Sequence, residues 1–113
     1  MAARKASLPT GTVTFLFTDI EGSTRLARAF PDSWPVIQAR HHSLLQTAIT
    51  HHHGYVFRAI GDEFNAAFET PLDALAAALA AQLSFQVEDW GELGSLRVRM
   101  SLHTGPATPG GDD

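Results

Sequence analysis

Two aspartates carry the chemistry open to this sequence. Asp19 ends an apolar run that begins at Thr12, and a turn of small residues, Glu21-Gly22-Ser23-Thr24, follows it. Asp62 stands 43 residues later, in Gly61-Asp62-Glu63-Phe64. A carboxylate at a strand end, beside the backbone N–H groups that open a helix, can hold a hard cation and a phosphate side by side. Taken singly, each aspartate is ordinary: one ends a strand, the other sits in a hairpin. The chemistry requires them to meet, so the rest of the chain is read as the scaffold that brings Asp62 to Asp19.

The elements that must do this are legible in order. Val13, Phe15 and Phe17 fall on one side of a first strand at period two, with Leu16 among threonines on the other. A short helix is expected over about Ser23 to Ala29, with Ser23 or Thr24 as its cap. Phe30-Pro31-Asp32-Ser33 breaks the chain. A longer helix over about Ser33 to His52 follows, with Trp34, Ile37, His41, Leu44, Leu45 and Ala48 on one face and Gly54 as its stop. Half-burial is expected for His41.

Tyr55 to Ile60 and Glu63 to Phe68 read as a hairpin joined by Gly61-Asp62, which presents Asp62 at its tip. Thr70-Pro71 opens a third helix, where Leu72, Leu75, Ala76, Leu79 and Leu83 form a stripe expected to pack in the core. Leu96 to His103 alternates apolar with polar as a last strand, and the text from Thr104 is turn-rich. The expected fold is α+β: a ferredoxin-like βαββαβ antiparallel sheet with helices on one face. In it the first strand is central and lies beside the strand that follows the first helical unit.

The chain's 113 residues suffice for one domain with a modest core, and 44% hydrophobic content argues against disorder. Twelve acidic and eight basic residues give a net charge of -4, which disfavours a nucleic-acid polymer as partner. There is no cysteine, which excludes thiolate metal sites and fits a cytoplasmic location. No run approaches a membrane-spanning length.

Three blocks, GTVTFLFTDIEGSTRL, HGYVFRAIGDEFNAAF and LRVRMSLHTG, resemble the class III adenylate/guanylate cyclase catalytic domain in order and spacing. The resemblance covers about residues 11–105. It implies that Asp19 and Asp62 bridge two Mg2+ or Mn2+ ions, with the Ile20 carbonyl as a further ligand. It also implies that the turn Glu21, Gly22, Ser23 and Thr24 holds the triphosphate, and that Gly61 is among the substrate-binding residues. Arg58 stands four residues before Asp62, where such cyclases often place a base-reading lysine. The implied reaction converts ATP, or GTP as the alternative, to the 3′,5′-cyclic nucleotide and pyrophosphate for signalling.

The resemblance further implies a homodimer, and a division into a tail over 1–11, part of a catalytic domain over 12–105 and a turn-rich terminus over 106–113. The family's later asparagine and arginine have no counterpart in these 113 residues, so low activity of the chain by itself is expected.

Two other readings compete. Gly61-Asp62-Glu63-Phe64 is similar to the GGDEF diguanylate cyclases, but Ile60 replaces their first glycine and IEGSTRL follows Asp19 in place of their lysine- and asparagine-bearing segment. The other is a non-catalytic nucleotide-binding or dimerisation module. Glu63 is read as a solvated strand residue, His103 as a packing or hydrogen-bonding residue, and His51-His52-His53 as a fraying helix end whose side chains diverge.

Overall fold

The computed structural model describes residues 11–107. Of the expected tail over 1–11 and terminus over 106–113, residues 1–10 and 108–113 lie outside the described residues. The elements are β1 (Thr12–Ile20), α1 (Ser23–Ala29), α2 (Trp34–His51), β2 (Tyr55–Ile60), β3 (Glu63–Phe68), α3 (Pro71–Val87), a 3-10 turn (Gly91–Leu93) and β4 (Val98–Pro106). The order is the expected one. The last strand starts two residues later than its alternation suggests and continues through Pro106, so the turn-rich text from Thr104 is partly strand.

All pairings are antiparallel, and the sheet order is β2-β3-β1-β4. β1 is central, as expected, but its neighbours are β3 and β4. The expected contact with β2 is not made: β3 lies between the two and pairs antiparallel with both, since β1 and β2, joined through a helical crossover, run in the same direction. Gly61 has φ 59° while Asp62 does not take a positive φ, the pattern of a hairpin turn whose first central residue is glycine.

One core lies between the sheet and the helices. β1 contributes Leu16 and Ile20, β3 contributes Phe64, Ala66 and Phe68, and β4 contributes Val98. α2 adds Ile37, Leu45, Ala48 and Ile49. The face of β1 that turns to this core is therefore the threonine and leucine one. Buried Thr14 satisfies its hydroxyl against Thr104 at 2.8 Å. Phe15 and Phe17 lie on the other face of the sheet, where Phe15 stacks on Phe17 and His103 and meets Phe57 edge-on.

α3 departs most from expectation. Its leucine stripe faces outward: Leu72, Leu75, Leu79 and Leu83 are 47–75% exposed. Ala74, Ala77, Ala81 and Phe85 are the residues that enter the core. Alanine allows the helix axis to approach its neighbours closely, and the leucines are left on the far side. Its start is as expected, with the Asp73 N–H donating to the Thr70 hydroxyl at 3.1 Å.

Two further corrections concern α2. His41 is fully buried, not half-buried. The left-handed residue at the helix end is His53, with φ 66°, whereas Gly54 is needed for closeness. A Cβ on Gly54 would lie 2.5 Å from Phe68 and 2.6 Å from Ile49.

Candidate active site

Register builds the site. Thr18 pairs with Phe64 across β1 and β3, and β1 runs two residues further, to Ile20. Continuing an antiparallel register from that pair sets Asp62, at the hairpin tip, opposite the end of β1. Its carboxylate Oδ2 accepts the Ile20 N–H at 2.6 Å. Asp62 thus meets the residue next to Asp19, 42 residues away along the chain.

The hairpin tip is also held from α2. His42 Nε2 lies 2.6 Å from the Gly61 carbonyl, and since a carbonyl only accepts, this nitrogen carries the proton. The same ring stands edge-on to Phe64, with centroids 4.8 Å apart. Sequence reasoning assigned His42 nothing, because its partner is a backbone atom of a distant turn.

On the other side of β1, Asp19 is paired directly with Arg99 of β4. The guanidinium forks onto the carboxylate, Nε to Oδ1 at 2.7 Å and Nη2 to Oδ2 at 2.8 Å. This contact holds Arg99 still more firmly protonated, and the negative charges of Glu21 and Asp62 add to it. Arg99 was read only as part of the polar face of the last strand. Its pairing with Asp19 follows from cross-strand register.

These groups line an open cleft of about 430 Å³, formed by Asp19, Ile20, Gly22, Ser23, Thr24, Arg25, Asp62, Glu63 and Arg99. A neighbouring hollow of about 340 Å³ runs onto the open face of the sheet past Phe17, Asn65 and Ser101, and shares Asp19, Glu63 and Arg99. Gly22 takes a left-handed conformation at the start of α1, and no side chain caps that helix, contrary to the expected Ser23 or Thr24 cap. Ser23 and Thr24 instead line the cleft. The Arg25 guanidinium lies so close over Gly22 that a Cβ there would sit 2.8 Å from Nη2.

Of the residues singled out from sequence, Asp19, Ile20, Gly22, Ser23, Thr24 and Asp62 converge on the cleft. Exposed Glu21 follows directly, its N–H donating to the Arg97 carbonyl at 2.8 Å. Gly61 supports the hairpin tip. Arg58 is not among the cleft residues: it is exposed on the outer strand β2, in register with Asn65, which pairs in turn with Phe17.

The donor set fits a hard divalent cation. Asp19, Asp62 and Glu63 bring carboxylate oxygens to the cleft, and Asp19 already holds a cationic group, the Arg99 fork. Among the described residues there is no cluster of three or more His, Cys, Asp or Glu side chains suited to an ion. An ion here would complete its shell with backbone and ligand oxygens, as magnesium commonly does.

A four-stranded antiparallel sheet with a two-carboxylate cleft at the end of its central strand defines a nucleotide-cyclase-like fold. The match to the adenylate and guanylate cyclase catalytic domain spans residues 6–112, and the chain belongs to that family. The receptor-type adenylate cyclase GRESAG 4.3 of Trypanosoma brucei brucei is 44% identical over 82 residues, covering 73% of this chain and 7% of that protein. An adenylate cyclase of Lachancea kluyveri is 37% identical over 84 residues, 74% of this chain and 5% of the relative.

Among solved structures, an adenylate cyclase from Trypanosoma brucei in its monomeric state superposes with a TM-score of 0.81 at 31% identity, over 89% of this chain and 59% of that one. A bacterial light-regulated adenylyl cyclase shares the fold, with a TM-score of 0.76 at 22% identity. The chain therefore spans under a tenth of these curated relatives and about three-fifths of the trypanosomal structure. No helix among the described residues is long and apolar enough to cross a membrane.

Proposed function

We propose that the chain binds a nucleoside triphosphate, ATP in preference to GTP, and contributes to its conversion to the 3′,5′-cyclic nucleotide and pyrophosphate. The observation that carries this reading is the Ile20 N–H to Asp62 Oδ2 bond, which ties the hairpin tip to the residue beside Asp19. Asp19, Asp62 and the Ile20 carbonyl are the groups that would hold two magnesium or manganese ions. Such ions supply activation of the ribose 3′-hydroxyl and charge neutralisation on the phosphates.

The chain's own groups do the positioning. Gly22, Ser23 and Thr24 line the cleft where the phosphates would lie, beside Glu21 and under the Arg25 guanidinium that covers Gly22. Gly61, held by His42, fixes the direction of Asp62.

Arg58 stands apart from this cleft, in the row of residues that crosses the open face of the sheet. That position supports base recognition from a second copy, and hence a homodimer with nucleotide between the open faces. A cytoplasmic location goes with the reading, because its substrate is an intracellular nucleotide.

The test is product analysis by mass spectrometry after incubation with manganese and ATP or GTP, with Asp62→Asn in parallel. Cyclic AMP that vanishes in the variant is the expected result. A cyclic dinucleotide would assign the diguanylate alternative. No product, together with a melting temperature indifferent to manganese and ATP, would reduce the chain to a dimerisation module.

A further inference from the structure

Beside the cleft, on the open face of the sheet, three side chains form a row. Phe17 of β1 pairs with Asn65 of β3 on one side and with Ser101 of β4 on the other. All three line the hollow of about 340 Å³ that shares Asp19, Glu63 and Arg99 with the cleft. Resting on the cyclase reading above, we propose that Asn65 binds the 2′-hydroxyl of the nucleotide's ribose, and so makes the site select ribonucleotides over 2′-deoxyribonucleotides.

The position of Asn65 suits that contact. The 3′-hydroxyl has to reach ions held at Asp19, and the 2′-hydroxyl sits on the neighbouring ring carbon, so it lies over the sheet close to Asp19. The pairing runs from Phe17–Asn65 through Thr18–Phe64, which sets Asn65 diagonal to Asp19 on the same face. Diagonal positions of this kind have Cβ atoms about 7–8 Å apart. Two short side chains do not meet across such a gap, but a diol held by an ion at one end and an amide at the other spans it.

The chemistry of Asn65 agrees. Its side chain is half-buried, lines the hollow, and has no hydrogen-bond partner among the described residues. Withdrawing an amide from water without giving it a partner is unfavourable, so folding alone does not account for this group. An amide both donates and accepts, which matches a hydroxyl that does both. Phe17, 36% exposed, gives the sugar ring an apolar floor, and the hollow has the volume of a small-molecule site. Ser101 is less suited. It is exposed, its hydroxyl is short, and it stands on the Arg99 side of Phe17, away from the hairpin that carries Asp62.

The experiment is calorimetric titration of the full chain, with manganese present, by α,β-methylene ATP, by its 2′-deoxy counterpart and by inorganic tripolyphosphate. Wild type should bind the ribose form roughly three- to tenfold more tightly than the 2′-deoxy form, the range that one hydrogen bond supports. Asn65→Ala should lose this preference by weakening the ribose form, while the 2′-deoxy form and tripolyphosphate bind as in wild type. Asn65→Leu, similar in shape but without the amide, should do the same. Ser101→Ala should keep the preference.

A wild type that binds both forms equally, a preference that survives in Asn65→Ala and Asn65→Leu, or one lost equally in Ser101→Ala overturns the assignment. Tripolyphosphate separates the two levels. If neither it nor the analogues bind with manganese, the cyclase reading of the cleft fails and the ribose contact falls with it. If tripolyphosphate binds but the two analogues bind alike, the ribose contact alone fails.

Discussion

Stability should fall steeply as the pH drops from 7 to 5, because of one histidine. His41 is fully buried, stacked on Phe85 at 5.5 Å between ring centroids and edge-on to Phe64 at 6.0 Å. Neither ring nitrogen has a hydrogen-bond partner among the described residues. Burial lowers its pKa from 6.5 to about 4; the neighbouring His42 pushes the same way, and Asp62 opposes both.

The folded-state pKa lies below the unfolded one, so the unfolded chain takes up the proton first. The contribution is complete above the unfolded pKa and is lost as the pH falls toward the folded one. The full effect is on the order of 3 kcal/mol, of which about 2 kcal/mol should disappear between pH 7 and 5. Urea unfolding followed by tryptophan fluorescence reads this directly, since Trp90 is buried beside Phe85. His41→Leu removes the titrating group and should flatten most of the slope. A slope that survives in His41→Leu, or a wild type equally stable at pH 7 and 5, would refute the reasoning.

Three other outcomes follow from the packing. Gly54→Ala forces a Cβ against Phe68 and Ile49, and should cost about 1–3 kcal/mol in urea unfolding. On α3, Ala77→Leu should cost a similar amount because Ala77 is fully buried, whereas Leu79→Gln should stay within about 0.5 kcal/mol because Leu79 is exposed. The reverse ranking would mean that the leucine stripe is the packed face after all. His42→Ala should lower manganese–ATP affinity while leaving circular dichroism unchanged, since it frees the Gly61 carbonyl that steadies Asp62.

What the sequence made legible was local. The Gly61-Asp62 turn, the Thr70-Pro71 helix start and the two hairpin strands are encoded by residues within a few positions of each other, and all appear with the expected bounds. Which face an element turns inward is not local. The leucines of α3 do share one side, but the neighbours chose the alanine side, where a closer approach is possible. β1 is apolar on both sides, so its pattern could not tell the core face, with Leu16 and Ile20, from the open aromatic one.

The site divides in the same way. Asp19 and Asp62 stood out because motifs flank them. Arg99 and His42 did not, because each acts through a partner many residues away: Arg99 opposite Asp19 across β1 and β4, and His42 beneath the Gly61 carbonyl. Arg25 stood inside a recognised block yet was not singled out, since only the left-handed turn at Gly22 folds its guanidinium back over the cleft.

The measurement that bears most directly on the central claim is a double-mutant cycle on manganese–ATP affinity, using Asp19→Asn, Asp62→Asn and the pair together, read by calorimetry. If the two carboxylates form one site, each single substitution should lose nearly as much affinity as the double one, a strong departure from additivity. Losses that simply add would mean that Asp19 and Asp62 act independently, and would contradict the account.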